Sequence, residues 1–344
     1  MRKDITKKFL MRENRYLGRM ISIDVISFLV KQKQKKIKKL QDENNPKIEI
    51  EYDDLSFTKM LGTKEIDVMS INNIFESGDK ILHEASRDGG MVKFNMVYCD
   101  VGSFIGNESR IEFIEKPFLL GETEVTQELY EKVMGVNNSW FSKKNSYLRG
   151  RFNIGDVSQH PIETITWFDA ISFCNALSSL HNLDAYYIIE NIQRAERSRM
   201  LDNIGVSLGN EPIDSAIVDI DPTKNGYRLP YGVEWEYAAK AGTNNACSGT
   251  NEKEKILDYA WCLESDASGA THPVATKKPN EWGFYDMSGN VFELCNDREQ
   301  YFQMTRGGSF TSNKLDDIST YSISYTTSNT YDRKIGFRIA RNIF

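Results

Sequence analysis

The residues able to do chemistry in this sequence are few and scattered. Its four histidines, His83, His160, His181 and His272, form no pair at three- or four-residue spacing, and His160 and His272 each precede a proline. Such placement points to surface or hydrogen-bonded histidines, not to paired metal ligands on a helix. The five cysteines (Cys99, Cys174, Cys247, Cys262, Cys295) stand far apart, never as CxxC. Their odd number and wide spacing argue against a disulfide framework and a structural zinc site. GxGxxG, the phosphate-binding loop and HExxH are absent. Glu234 and Glu236 flank Trp235, but two-residue spacing separates them on a helix, so they read as structural carboxylates.

One segment stands out by composition. Between Thr311 and Arg333, 18 of 23 residues are Ser, Thr, Asn, Asp or Tyr. Tyr321, Ile323 and Tyr325 alternate as in a strand, and Thr326 to Arg333 reads as an exposed loop. Tyr gives rigid amphipathic area and Ser, Thr and Asn give adaptable hydrogen bonds, the composition of a recognition surface.

Three helices would hold the chain around these residues. In EVTQELYEKVMG, Thr126 caps, Leu129, Tyr130, Val133 and Met134 form one stripe, and Gly135 stops the helix. In ITWFDAISFCNALSSL, Thr166 and Asp169 have the spacing of a capping box, and Cys174 falls in the apolar repeat as a core residue. In LPYGVEWEYAAKAG, Trp235, Ala238 and Ala239 form the stripe and Gly242 ends it, with Tyr231 an unusual residue at the start. A further helix is expected over Ile71 to Ala85, a strand over KIEIEY (47 to 52), and a surface excursion with no apolar period after Ile192 over Asp184 to Asn225.

The chain divides at punctuation: a basic helical extension over 1–45, a small α/β connecting segment over 46–90, and a large domain over 91–344. Residues 1–40 carry 13 Lys/Arg against 3 Asp/Glu, which leaves the remainder at −16. A basic arm of this kind suits an anionic partner, whether nucleic acid, a lipid surface or the acidic body itself. The longest apolar run, Met20 to Val30, contains Asp24 and is too short to span a bilayer. With no secretory pattern at its start, the expectation is a cytoplasmic protein without a transmembrane segment.

Six motifs in fixed order carry a family resemblance. They are KPFLLGETEVTQELYEKVMG (116 to 135), HPIETITWFDAISFCNALS (160 to 178), YRLPYGVEWEYAAKAGT (227 to 243), THPVATKKPNEWGFYDMSGNVFELCND (271 to 297), TRGGSF (305 to 310) and IGFRIAR (335 to 341). In these the chain resembles the formylglycine-generating enzymes, or sulfatase-modifying factors. The resemblance implies a loop-rich α+β domain related to the C-type lectin fold, with 91–344 as that domain. Fold alone does not assign chemistry.

The formylglycine-generating members bind copper through a cysteine pair shortly after the GGS turn. Counted forward from Ser309, those places hold Ser312 and Asp317, so no copper is expected. The ergothioneine-type members hold iron with clustered histidines, a pattern not legible here. The resemblance also implies a Ca²⁺ site in SGNVFELCND, using the Asn290 side chain, the Val291 carbonyl and the Glu293 carboxylate. Phe292 and Leu294 depart from that pattern, where members usually carry Trp.

The reading that follows is a diverged, non-catalytic member binding a protein, peptide or small polar ligand through Ser309, Ser312, Asp317, Tyr321 and Tyr325. Two alternatives stand beside it. One is an iron- or copper-dependent oxidase or oxygenase acting on a thiol; the other is an interaction protein using its basic N-terminal helix.

Overall fold

The computed structural model describes residues 75–87, 90–106, 110–142, 156–196, 211–265, 269–299, 301–313 and 315–343. The expected basic helix over 1–45 and the KIEIEY strand lie outside them.

The helix expected over Ile71 to Ala85 is corrected. Lys80–Arg87 is a strand, β1, because Ile81, His83 and Ala85 turn inward at period two. It pairs antiparallel with β2 (Gly90–Cys99), from Lys80↔Val97 to Arg87↔Gly90. Phe75, Ile81 and Ala85, from the segment expected to connect, pack in the main core.

A small hairpin of β3 (Gly102–Ile105) and β4 (Ile111–Ile114) follows, then β5 (Phe118–Gly121). Helix α1 (Gln127–Met134) and helix α2 (Trp167–Leu180) come next, ahead of a second hairpin, β6 (Tyr187–Arg194) and β7 (Ile213–Ile220). Strand β8 (Tyr227–Arg228) leads into helix α3 (Gly232–Lys240). The C-terminal part supplies β9 (Phe292–Glu299), β10 (Phe302–Arg306), β11 (Ser324–Thr327), β12 (Ile335–Gly336) and β13 (Ala340–Asn342).

The strands form a five-stranded sheet, β1-β2-β5-β13-β8, and a four-stranded sheet, β11-β10-β9-β12. Strand alternation places the larger sheet between two packed layers. From β2, Met96 and Tyr98 enter the cluster with Leu129, Tyr130, Ile171 and Phe173 of α1 and α2. Val97 and Cys99 enter the cluster with Trp235, Ala238 and Ala239 of α3. The architecture is α+β, as expected.

Local signals in the sequence act as read. Thr126 accepts from the Leu129 N–H, and Gly135 ends α1 at φ 77°. Thr166 and Asp169 form the reciprocal capping box of α2, with Cys174 buried inside it. After α3, Ala241 (φ 47°) takes the left-handed cap and Gly242 follows at φ 76°. The surface excursion over 184–225 is partly corrected, since Tyr186, Tyr187 and Ile213 are buried in the main core; residues 197–210 lie outside the description. No helix among the described residues is long and apolar enough to cross a membrane.

A polar cluster sits beneath β1. The Tyr227 hydroxyl lies 2.8 Å from His83 Nδ1 and 2.7 Å from His181 Nδ1, and His181 Nε2 lies 2.9 Å from the Glu84 carbonyl. Burial, then the nearby Arg341, lowers the His83 pKa to about 3. Folding therefore favours neutral His83, and that stability is present above the unfolded value near 6.5 and lost as pH falls below it. Against a His83→Gln variant, which cannot titrate, the stability advantage of the natural protein is expected to shrink by ~2 kcal/mol between pH 7.5 and 5. Urea melts of both proteins across that range check this; a pH-independent gap would contradict a depressed His83.

Candidate functional site

The GGS turn is built by backbone geometry that only glycine takes without strain. Gly307 (φ 85°) and Gly308 (φ 74°) are consecutive left-handed residues, and a Cβ on Gly308 would press on the Asp317 carbonyl at 2.6 Å. The turn then closes on itself. The Ser309 N–H donates to Ser312 Oγ at 3.1 Å, the Ser312 N–H to the Ser309 carbonyl at 2.9 Å, and the Thr311 N–H to Ser309 Oγ at 3.2 Å. Both serines are buried, and the Leu263 N–H donates to the Ser312 carbonyl. Ser309 and Ser312, expected on a binding surface, are thus brought together as buried inner parts of a turn.

The other three predicted residues separate. Asp317 lies half-buried in a short 3-10 turn, Leu315–Ile318, against Gly308. Tyr321 is half-buried, whereas Tyr325 on β11 is 44% exposed. Register sets its neighbours: Tyr325 lies opposite Met304 and Thr327 opposite Phe302, so these side chains share one face. Gln303 and Thr305 alternate inward and are buried. Phe302 is 46% exposed, and Tyr301, at the turn between β9 and β10, is 84% exposed.

Carboxylates border these rings. Partial burial and then a hydrogen bond to Glu299 raise the Tyr325 phenol above its usual pKa. Asp297, also close to Tyr325, accepts from the Gly232 N–H at 2.5 Å and so caps α3 from across the fold. That resolves the unusual start of α3, where Tyr231 instead gives its own N–H to Glu234 at 2.8 Å. Arg306 closes the inner end of the face, pairing with Glu236 at 3.1 Å while buried. Tyr301 and Phe302 were missed in the sequence because YFQM falls between two motifs and shows no strict alternation; the exposed Tyr-Phe pair beside a turn was the available signal, while Met304 packs against the core beside α3.

The residues expected to hold Ca²⁺ do not fit it. Arg338 Nε and Nη2 donate to the Glu293 carboxylate at 2.5 and 2.7 Å, and Trp235 Nε1 donates to it at 2.7 Å. A cation already neutralises this fully buried group, so a metal would meet like charge. Asn290, left-handed at φ 57°, spends its amide on the His272 backbone, accepting from N–H at 3.1 Å and donating to C=O at 3.3 Å. Val291 is buried beside it. As placed, Asn290, Val291 and Glu293 serve as a structural lock.

Among the described residues, no group of three or more His, Cys, Asp or Glu is arranged to hold a metal ion. All five cysteines are free and buried, and burial raises the Cys247 thiol to about 11. Tertiary structure does bring histidines together that are distant in sequence. His83 and His181 stack at 6.1 Å, and His272 helps burial to depress His160 to about 4. The letters GVSLG at 205–209 match the GxSxG nucleophile pattern, but they lie outside the described residues.

Comparison with known proteins agrees with this architecture. The family model described as "Sulfatase-modifying factor enzyme 1-like domain" matches residues 88–343. Among solved structures, the Treponema denticola variable protein 1 is 30% identical with a TM-score of 0.60, covering 76% of this chain and 99% of that one. CarF is 27% identical with a TM-score of 0.51, covering 73% of this chain and 99% of its own. The chaperone protein LppX of Paenibacillus barcinonensis is 33% identical over 232 residues, 60% of this chain and 73% of that protein.

If Arg338 is the cation that Glu293 needs, chelating divalent ions with EDTA should leave the thermal midpoint unchanged. Arg338→Met should cost ~3–5 kcal/mol, because it strands a buried carboxylate. Calorimetry with and without chelator checks both; a midpoint that drops with EDTA would restore a structural metal.

Proposed function

The chain belongs to the sulfatase-modifying factor enzyme 1-like family, and from that premise we propose that its domain is a non-catalytic module binding a protein or peptide through the outer face of β10 and β11. The observation that carries this reading is the exposure of Phe302 and Tyr325 on one face of a strand pair anchored by a buried ion pair, with Tyr301 exposed at the adjoining turn. Large aromatic rings left in water on a rigid sheet are the anchors that interfaces use, since each supplies much contact area for few frozen torsions.

Two further points support it. Where copper-binding members of the family carry thiols, this chain has Ser312 and Asp317, and both belong to the packing around Gly308. The serine hydroxyls are engaged within the turn, so they contribute to its shape. Among the relatives, one is named a chaperone and one a variable protein, names that sit comfortably with a contact role for the shared domain.

A random peptide library panned against the full chain tests this. Retained peptides should lose binding about 30-fold or more when Tyr325→Ala is combined with Phe302→Ala, the scale of two hot-spot truncations. Because both rings are nearly half exposed, the thermal midpoint should stay close to that of the natural protein. Peptides that bind the double variant equally well would place recognition elsewhere and refute the reading.

A further inference from the structure

The outer strand of the smaller sheet has an open side. β11 is the terminal strand in the order β11-β10-β9-β12, and among the described residues no strand pairs its far edge. In an antiparallel pair, alternate residues direct N–H and C=O towards the neighbour, so the intervening residues of β11 direct theirs outward.

Edges of this kind are usually protected by charge, proline or a covering element. Charge and proline are missing here: from Ile318 to Tyr331 there is no Asp, Glu, Lys, Arg or Pro. The exposed run is also bounded. Upstream, the Ser322 carbonyl accepts from Arg306 Nη1 at 3.3 Å; downstream, the Thr327 carbonyl accepts from the Thr330 N–H at 3.1 Å. That leaves the stretch around Ile323 to Thr326, enough for a short added strand.

The surroundings give such a strand a charge preference. Glu299 is exposed and bonded to the Tyr325 hydroxyl, and Asp297 lies close by. Arg306, a positive group close to Tyr325, is buried and paired with Glu236. Arg298 stands opposite the inward-facing Gln303, on the other side of β9 from Glu299. Glu299, directly opposite Phe302 and bonded to Tyr325, therefore offers a carboxylate beside aromatic rings to one cation.

Resting on the reading of this face as a binding surface, we propose that its ligand is an extended Lys- or Arg-bearing peptide that adds as a fifth strand along β11. Backbone pairing supplies register, and a basic side chain reaches Glu299 between the aromatic rings. The ladder holds only a few hydrogen bonds, so the aromatic and charged contacts must supply selectivity.

The experiment uses the peptides retained by the full chain, resynthesised with N-methyl groups on odd or on even residues. Methylation removes a backbone donor, and only one side of an added strand faces β11. One methylated set should therefore lose binding at least 10-fold while the other keeps it. Retained peptides should be enriched in Lys or Arg, and Glu299→Gln should reduce that enrichment. Equal tolerance of both methylated sets, with binding still sensitive to Tyr325→Ala, would overturn strand addition and leave the aromatic face standing. Peptides without basic residues would overturn the charge assignment. Retention of no peptide at all would sink both the added strand and the peptide-binding reading beneath it.

Discussion

The guanidinium of Arg338 is the constraint on which the rest of this domain depends. It is fully buried, and every donor-bearing nitrogen is engaged. Nε and Nη2 bind Glu293, Nη1 reaches the Gly121 and Glu122 carbonyls, and Nη2 also reaches the Tyr285 carbonyl. Trp235 completes the carboxylate from α3. One side chain thus ties the end of β5, the segment before β9, the start of β9 and the terminal strands to a helix. A buried pair of this kind is weak evidence for net stability but costly to break, because either partner alone would be a charge without water.

Two further pairs repeat the device. Arg228 grips Glu234 with two bonds of 2.6 Å, and Glu234 in turn receives the Tyr231 N–H at the start of α3. Arg306 meets Glu236 from the GGS side. The two glutamates around Trp235, structural in the sequence reading, each hold an arginine from a different part of the chain. Six ordered motifs that look at first like the parts of an active site largely serve as the parts of a lock. The network carries a cost close at hand. Burial, then the neighbouring Asp286, raises Glu124 well above the usual carboxylate range.

Such a lock separates tasks along the chain. The inner residues of the second sheet, Gln303 and Thr305, are buried, whereas Phe302, Tyr325 and Thr327 face outward on the same two strands. Because side chains alternate at period two, the outer positions can differ in character without altering the inner ones. The polar, aromatic composition after the GGS turn is therefore compatible with a rigid scaffold. That segment could not be treated as one surface, because Ser312 near its start folds inward with Ser309 of the turn before the strand begins.

By itself the sequence determined what is decided within a few residues or by an ordered set of motifs. Thr126, Gly135 and the Thr166–Asp169 box could be read because a cap bonds across three or four positions. The α+β family fold was legible from the motifs as a series. Strand β1 was misread as a helix because a short apolar run is ambiguous until its partner, β2, selects the period. Only the tertiary structure decided how the carboxylates are used and which polar residues meet solvent. Glu293 finds its cation 45 residues away, Glu236 finds its own 70 away, and Asp297 caps a helix 65 positions upstream. Oxygen ligands for calcium and acceptors for arginine look alike in one dimension, since a carboxylate serves both. What separates them is which charge the fold delivers to that point, and that depends on strand pairing across the whole chain.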